Sequence, residues 1–124
     1  MDKRIKKRWI AALRSRKYKQ GEGLLRQKGD TKKQVDRFCC LGVLCELAVK
    51  AKVIPPAVID FEMEKYFYAG ASQELPGEVM KWAKIGTSCG SFTRASDRSD
   101  TDLAELNDKG MPFNKIANYI EKYF

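Results

Sequence analysis

Histidine is absent from this 124-residue chain. With it go Ser-His-Asp and Cys-His nucleophile arrangements, HExxH metalloprotease chemistry and every zinc site that depends on imidazole. Long apolar runs are also missing: no stretch reaches the roughly 18 residues that a membrane span requires, so the sequence predicts no membrane association. The opening MDKRIKKRWIAALRSRK carries charge but no apolar segment of the kind found in a secretory leader, which makes a reducing cytoplasm the expected compartment. Cysteine is present four times, yet the CCx4C of Cys39, Cys40 and Cys45 followed by a lone Cys89 matches no recognised zinc spacing. No metal and no cofactor is predicted. Paired acids at a spacing that would suggest hydrolysis are not evident either.

Acidic residues are scarce where basic ones are dense. Of 24 Lys and Arg and 16 Asp and Glu, residues 1–37 hold 14 and 4 (14 − 4 = +10), and residues 38–124 hold 10 and 12 (10 − 12 = −2). The net +8 is therefore an N-terminal property, and it points to anionic partners. The length suits one domain, divisible into a basic N-terminal helix and loop over 1–37 and a core over 38–124.

Periodicity supplies the elements. Ile5, Trp9, Ala12 and Leu13 make the stripe of an amphipathic helix over 3–17 whose other faces are almost wholly Lys and Arg. YKQGEGLLRQKGDTKKQVD, with Gly21, Gly23 and Gly29, reads as a loop with one short turn around Leu24 and Leu25, and as the most mobile segment. FCCLGVLCELAVKAKV is apolar over more than half its circumference and predicts a central buried helix ending near residue 53, ahead of Pro55 and Pro56. Gly42 inside it costs about 1 kcal/mol relative to Ala, which a close crossing by another element would explain. Tyr66, Phe67 and Tyr68 favour a strand, pairing with a second around Phe92 and Thr93. Pro76 opens another helix, Ser99 with Asp102 a capped one over Leu103 to Leu106, and Pro112 the last, striped by Phe113, Ile116, Ala117, Ile120 and Phe124. The expected fold is mainly α (α+β): four to five helices around a central buried helix, with a small β-hairpin near 66–68 and 91–95.

Three kinds of chemistry are open. Nine cations within residues 3–19, interleaved with Trp9 and Tyr18, suit phosphate groups, although a solvated helix face gives the same pattern. Arg14, Arg16, Lys17 and Lys19 are the better placed for a specific contact because they enter the glycine loop. Cys39 or Cys40, at a helix N-terminus just after Arg37, meets part of the demand on a nucleophile, but buried cysteine usually acts as a small apolar residue. Asn107 and Asp108, ahead of Gly110, belong to a helix end or face a ligand. DLAELNDKGMPFNKIANYIEKYF resembles the first two helices of a helix-turn-helix; two helices closing a core is the simpler reading, with a homodimer contact through Tyr119, Tyr123 and Phe124 as an alternative.

Taken in order, the Trp of the first helix, LRSRKYKQG, RFCCLGVLCELA, LPGEVMKWA and LAELNDKGMPFNKIANYIE resemble a widespread set of small phage and prophage proteins of unassigned function. RFCCLGVLC with the distant LND block is also similar to a bacterial domain of unknown function. The resemblance implies a phage product acting in an infected bacterium, as an accessory or counter-defence factor, and no activity comes with it. Polar positions shared with the pattern are Arg14, Lys17, Tyr18, Gln20, Arg37, Asn107 and Asp108. The leading expectation is a non-enzymatic binder of an anionic ligand, a nucleotide signal or nucleic acid, held by Arg14, Arg16, Lys17, Tyr18, Lys19, Gln20, Arg37, Asn107 and Asp108. The alternatives are a protein inhibitor of an acidic host or defence protein, and a cysteine-dependent enzyme or redox protein.

Overall fold

A computed structural model describes residues 1–30 and 34–124. Its elements run α1 (Lys3–Arg14), β1 (Lys19–Gln20), β2 (Arg26–Gln27), β3 (Arg37–Phe38), α2 (Cys40–Lys50), β4 (Val58–Asp60), β5 (Lys65–Phe67), α3 (Gly77–Ala83), β6 (Ser91–Thr93), β7 (Asp100–Asp102), α4 (Leu103–Asp108) and α5 (Phe113–Tyr123). Five strands form a mixed sheet in the order β1-β3-β2-β5-β4, in which only β1 and β3 pair in parallel. β6 and β7 form a separate antiparallel pair.

The fold is thus α+β, and the mainly α expectation fails. The strands it missed are β1, β2 and β3, two residues each in or beside the glycine-rich stretch after α1, and β4 and β7, three residues each. A two-residue strand has no periodicity to read, and it exists only because partners far along the chain complete its hydrogen bonds. The expected loop is likewise corrected: Leu25 is wholly buried, and its backbone N–H donates to Ser72 O at 2.8 Å. Part of that loop, residues 31–33, lies outside the described residues. The expected hairpin between 66–68 and 91–95 does not form. β5 pairs with β4 and β2, whereas Phe92 pairs with Thr101 of β7. Ser99 caps no helix, because Asp100–Asp102 stays extended as β7 and Asp102 becomes the N-cap of α4, accepting from Glu105 N at 2.7 Å.

α1 begins on an Asp2 cap whose carboxylate accepts from the N–H of Arg4 and of Ile5. It buries Ile5, Trp9 and Leu13. Trp9 is fully enclosed and donates its indole N–H to Cys40 O at 2.9 Å, which locks α1 onto the first turn of α2. α2 is the buried centre, with Cys40 to Cys45 all inaccessible. The crossing that Gly42 suggested is the backbone of Leu25: a Cβ added at residue 42 would lie 1.7 Å from Leu25 O. The helix and the residue just before β2 therefore meet main chain to main chain.

Candidate functional site

Where α2 begins, its first N–H groups have no partner within the helix and need acceptors, and Cys39 at the N-cap supplies none through its side chain. Asn107, from α4, fills the vacancy across 67 residues of sequence, its Oδ1 accepting from Cys40 N at 3.1 Å. The same oxygen accepts from Gln20 Nε2 at 3.0 Å, and Asn107 Nδ2 donates to Gly21 O at 2.7 Å. Gln20 also donates to Met111 O at 2.7 Å, and Asp108 accepts from Gly23 N at 2.9 Å. Together these bonds staple the 19–23 segment to the ends of α2 and α4. Asn107, a fully buried polar residue, is the pin of that joint.

Above the joint opens a cleft of about 730 Å³. Lys19, Gln20, Arg37 and Asn107 line it, joined by Gln27, Lys28 and Gln34 and by the carboxylates Glu22 and Asp30. Lys19, Lys28 and Arg37 are exposed, and none has an ion-pair partner among the described residues. Gly21 and Gly29 give it shape, since an added Cβ would come within 2.8 Å of Arg37 Cβ or 2.1 Å of Gln34 O.

Four of the nine sequence candidates therefore meet at one place. The others do not join them. Arg14 turns to α5, bonding Asn118 Oδ1 at 2.7 Å and Glu121 Oε2 at 3.1 Å. Arg16 is exposed at a left-handed φ of 61° just past α1. Lys17 and Tyr18 line a neighbouring hollow of about 480 Å³, shared with Lys19 and Phe38. There the Lys50 ammonium donates to Tyr18 Oη at 3.0 Å, and its bonding and like charge lower the pKa of Lys17. Asp108 is spent on the rim through Gly23.

A group that sequence reasoning missed stands beside the cleft. Arg26 lies 4.3 Å from the Tyr66 ring centroid and 5.3 Å from that of Phe38. Its guanidinium pairs with Asp36 Oδ2 at 2.8 Å and reaches Glu46 Oε2 at 3.8 Å, while Tyr68 Oη donates to that same Glu46 oxygen at 2.7 Å. Burial opposes charge on Asp36, but hydrogen bonds from Gly29, Tyr66 and Arg26 outweigh it and lower its pKa. Burial and the Glu46 bond raise that of Tyr68. This network joins β2, the approach to β3, α2 and β5, and no local spacing could reveal it.

The buried thiols of Cys39, Cys40 and Cys45 are poor nucleophiles. Burial pushes Cys39 up to about 11, and raises Cys40 and Cys45 as well. Among the described residues no group of three or more Cys, Asp or Glu side chains is placed to hold a metal ion, and no helix is long and apolar enough to cross a membrane. The site gathers exposed cations and amide side chains around one cleft. No curated protein and no solved structure matches the chain significantly. A family model does: it matches residues 1–124, and the chain belongs to the family described as a domain of unknown function, DUF8296.

Proposed function

We propose that the protein is a non-enzymatic binder of a phosphate-bearing small ligand, a nucleotide, held in the cleft between β1, β3 and the end of α4. One observation carries this reading: Lys19, Lys28 and Arg37 border one polar cleft without ion-pair partners among the described residues. Its volume falls within the ~300–1,000 Å³ of small-ligand sites, and its mixed lining suits a molecule with both phosphates and hydrogen-bonding edges. The cations would face phosphate, while Glu22, Asp30 and the three glutamines would read hydroxyl and amino groups. Sequestration needs no catalytic group, which accords with a chain lacking histidine. The resemblance to phage and prophage proteins adds a role: counter-defence in the host cytoplasm, by removal of a nucleotide signal.

The test is titration of the ¹⁵N-labelled protein with ADP and with a cyclic dinucleotide. The amide resonances of Gly21, Lys28 and Arg37 are expected to shift saturably, more weakly as salt rises, and not at all in a Lys19→Gln/Arg37→Gln double variant. Unmoved cleft resonances in the wild type, or an unchanged response in the double variant, would overturn the reading.

A second reading rests on α1, where Lys3, Arg4, Lys7 and Arg8 are exposed and unpaired among the described residues. Such a face suits an acidic protein partner, with charge steering the encounter. Changing these four to Glu separates the two readings, because nucleotide binding in the cleft is expected to survive it.

A further inference from the structure

A smaller hollow, unrelated to the cleft, opens between α5 and the turn after β6. It measures about 230 Å³ and is lined by Arg94, Ser96, Asn118, Tyr119, Lys122 and Tyr123. Arg94 is its unusual member. The Nε of its guanidinium is covered from solvent and has no hydrogen-bond partner among the described residues. Such donors are rare in folded proteins, and this one marks a guanidinium that no protein group holds through its Nε among the described residues. The carboxylates of Asp97 and Glu105 feel the Arg94 charge, but neither reaches it as an ion pair. Asp97 is occupied by Ser99, and Glu105 by Lys109 and Thr101.

The walls are built and held. Tyr123 Oη accepts from Ala95 N at 3.0 Å, which fixes the turn against α5. Tyr119 and Tyr123 lie nearly parallel, with centroids 6.0 Å apart, and Phe92 backs them, stacked 4.7 Å from Tyr123. Asn118 is held by Arg14 at 2.7 Å, so the sequence candidate that left the cleft supports this pocket instead. Lys122 brings a second cation, 5.2 Å from the Tyr123 ring centroid.

A guanidinium without an ion-pair partner among the described residues, an ammonium, an amide, a hydroxyl and an aromatic wall around one small hollow match a particular chemistry. We propose that the hollow is a binding site for a nucleoside monophosphate, taking the phosphate between Arg94 and Lys122 and the planar base against Tyr119. Guanidinium and ammonium groups suit phosphate, and aromatic faces accept any base by stacking. The volume, below that of most drug-sized sites, limits the occupant to about one nucleotide unit. This site is independent of the cleft, and either can fail without the other.

The experiment follows the Arg94 Nε–H resonance of the ¹⁵N-labelled full chain during titration with AMP, adenosine and inorganic phosphate. AMP is expected to shift it saturably at millimolar concentration, together with the amides of Ser96, Asn118 and Tyr119. Arg94→Gln and Lys122→Gln are each expected to weaken AMP about tenfold. The Lys19→Gln/Arg37→Gln variant is expected to leave these resonances responding as in the wild type, which separates this site from the cleft. An Arg94 resonance unmoved by AMP, or AMP binding unchanged in both single variants, overturns the proposal. If inorganic phosphate acts as strongly as AMP, the base contributes nothing and the nucleotide assignment falls.

Discussion

Replacing Gly42 by alanine is a sharp test of how the centre of the molecule is built, because helix propensity and packing predict opposite signs. On propensity, alanine in the interior of α2 gains about 1 kcal/mol over glycine. In the structure the new Cβ would stand 1.7 Å from Leu25 O, 2.6 Å from Leu25 C and 3.1 Å from Leu25 Cα. Side-chain Cβ atoms essentially never approach a heavy atom closer than 3.0 Å, so at least 3.0 − 1.7 = 1.3 Å of separation must be found. The obstacle is main chain, so no rotamer change relieves it. Moving it draws Leu25 out of full burial and strains the neighbouring Arg26 network. Overpacking costs about 1–3 kcal/mol, and partial loss of the ~1.5–3 kcal/mol from burying a leucine adds to it. After subtracting the propensity gain, Gly42→Ala is expected to destabilise by about 2–3 kcal/mol. Urea unfolding followed by intrinsic fluorescence reads this as a lower midpoint at an unchanged slope. A variant as stable as the wild type, or more stable, would refute the main-chain crossing.

Asn107→Leu removes the shared partner of Cys40 N, Gln20 Nε2 and Gly21 O; at about 1–3 kcal/mol per unsatisfied buried group, a loss of roughly 3 kcal/mol or more is expected in the same unfolding assay, and a loss under about 1 kcal/mol would show that the joint is not structural. Native alkylation at neutral pH, read by mass spectrometry, is expected to modify the half-buried Cys89 and leave Cys39, Cys40 and Cys45 untouched; rapid labelling of Cys39 or Cys40 would revive a cysteine-dependent activity. Asp36 has a folded pKa below its unfolded one, so its contribution is present above the ordinary carboxylate value and is lost as pH falls through the folded value. Asp36→Asn is thus expected to be less stable than the wild type at neutral pH, with the gap closing below about pH 4; a gap that persists undiminished at about pH 2 would contradict the Arg26–Asp36 pairing.

The sequence determined what short-range periodicity and backbone chemistry can carry. The stripe of Ile5, Trp9 and Leu13 specifies α1, and that of Phe113, Ile116, Ala117 and Ile120 specifies α5, because each helix presents one face per 3.6 residues whatever it packs on. The end of α2 was placed near residue 53 from Pro55 and Pro56, but the helix stops at Lys50, where left-handed Lys52 and the bonds from Lys52 N to Val49 O and Val53 N to Ala48 O close it first; Gly42 announced a crossing without saying by what. Tertiary structure alone decided the sheet, because strands as short as Arg26–Gln27 and Arg37–Phe38 have no pattern of their own and exist through their pairing. It also decided the assortment of the polar candidates. Arg14 and Arg37 look alike as basic residues near a glycine loop, yet one is spent on Glu121 and the other faces a cleft. Asn107 reads as an ordinary helix-end residue, and only the meeting of α4 with the uncapped start of α2 makes it a pin. Hydrogen bonding and electrostatics fall off within a few ångströms, so such assignments depend on which distant segments the fold brings together, and spacing along the chain does not encode that.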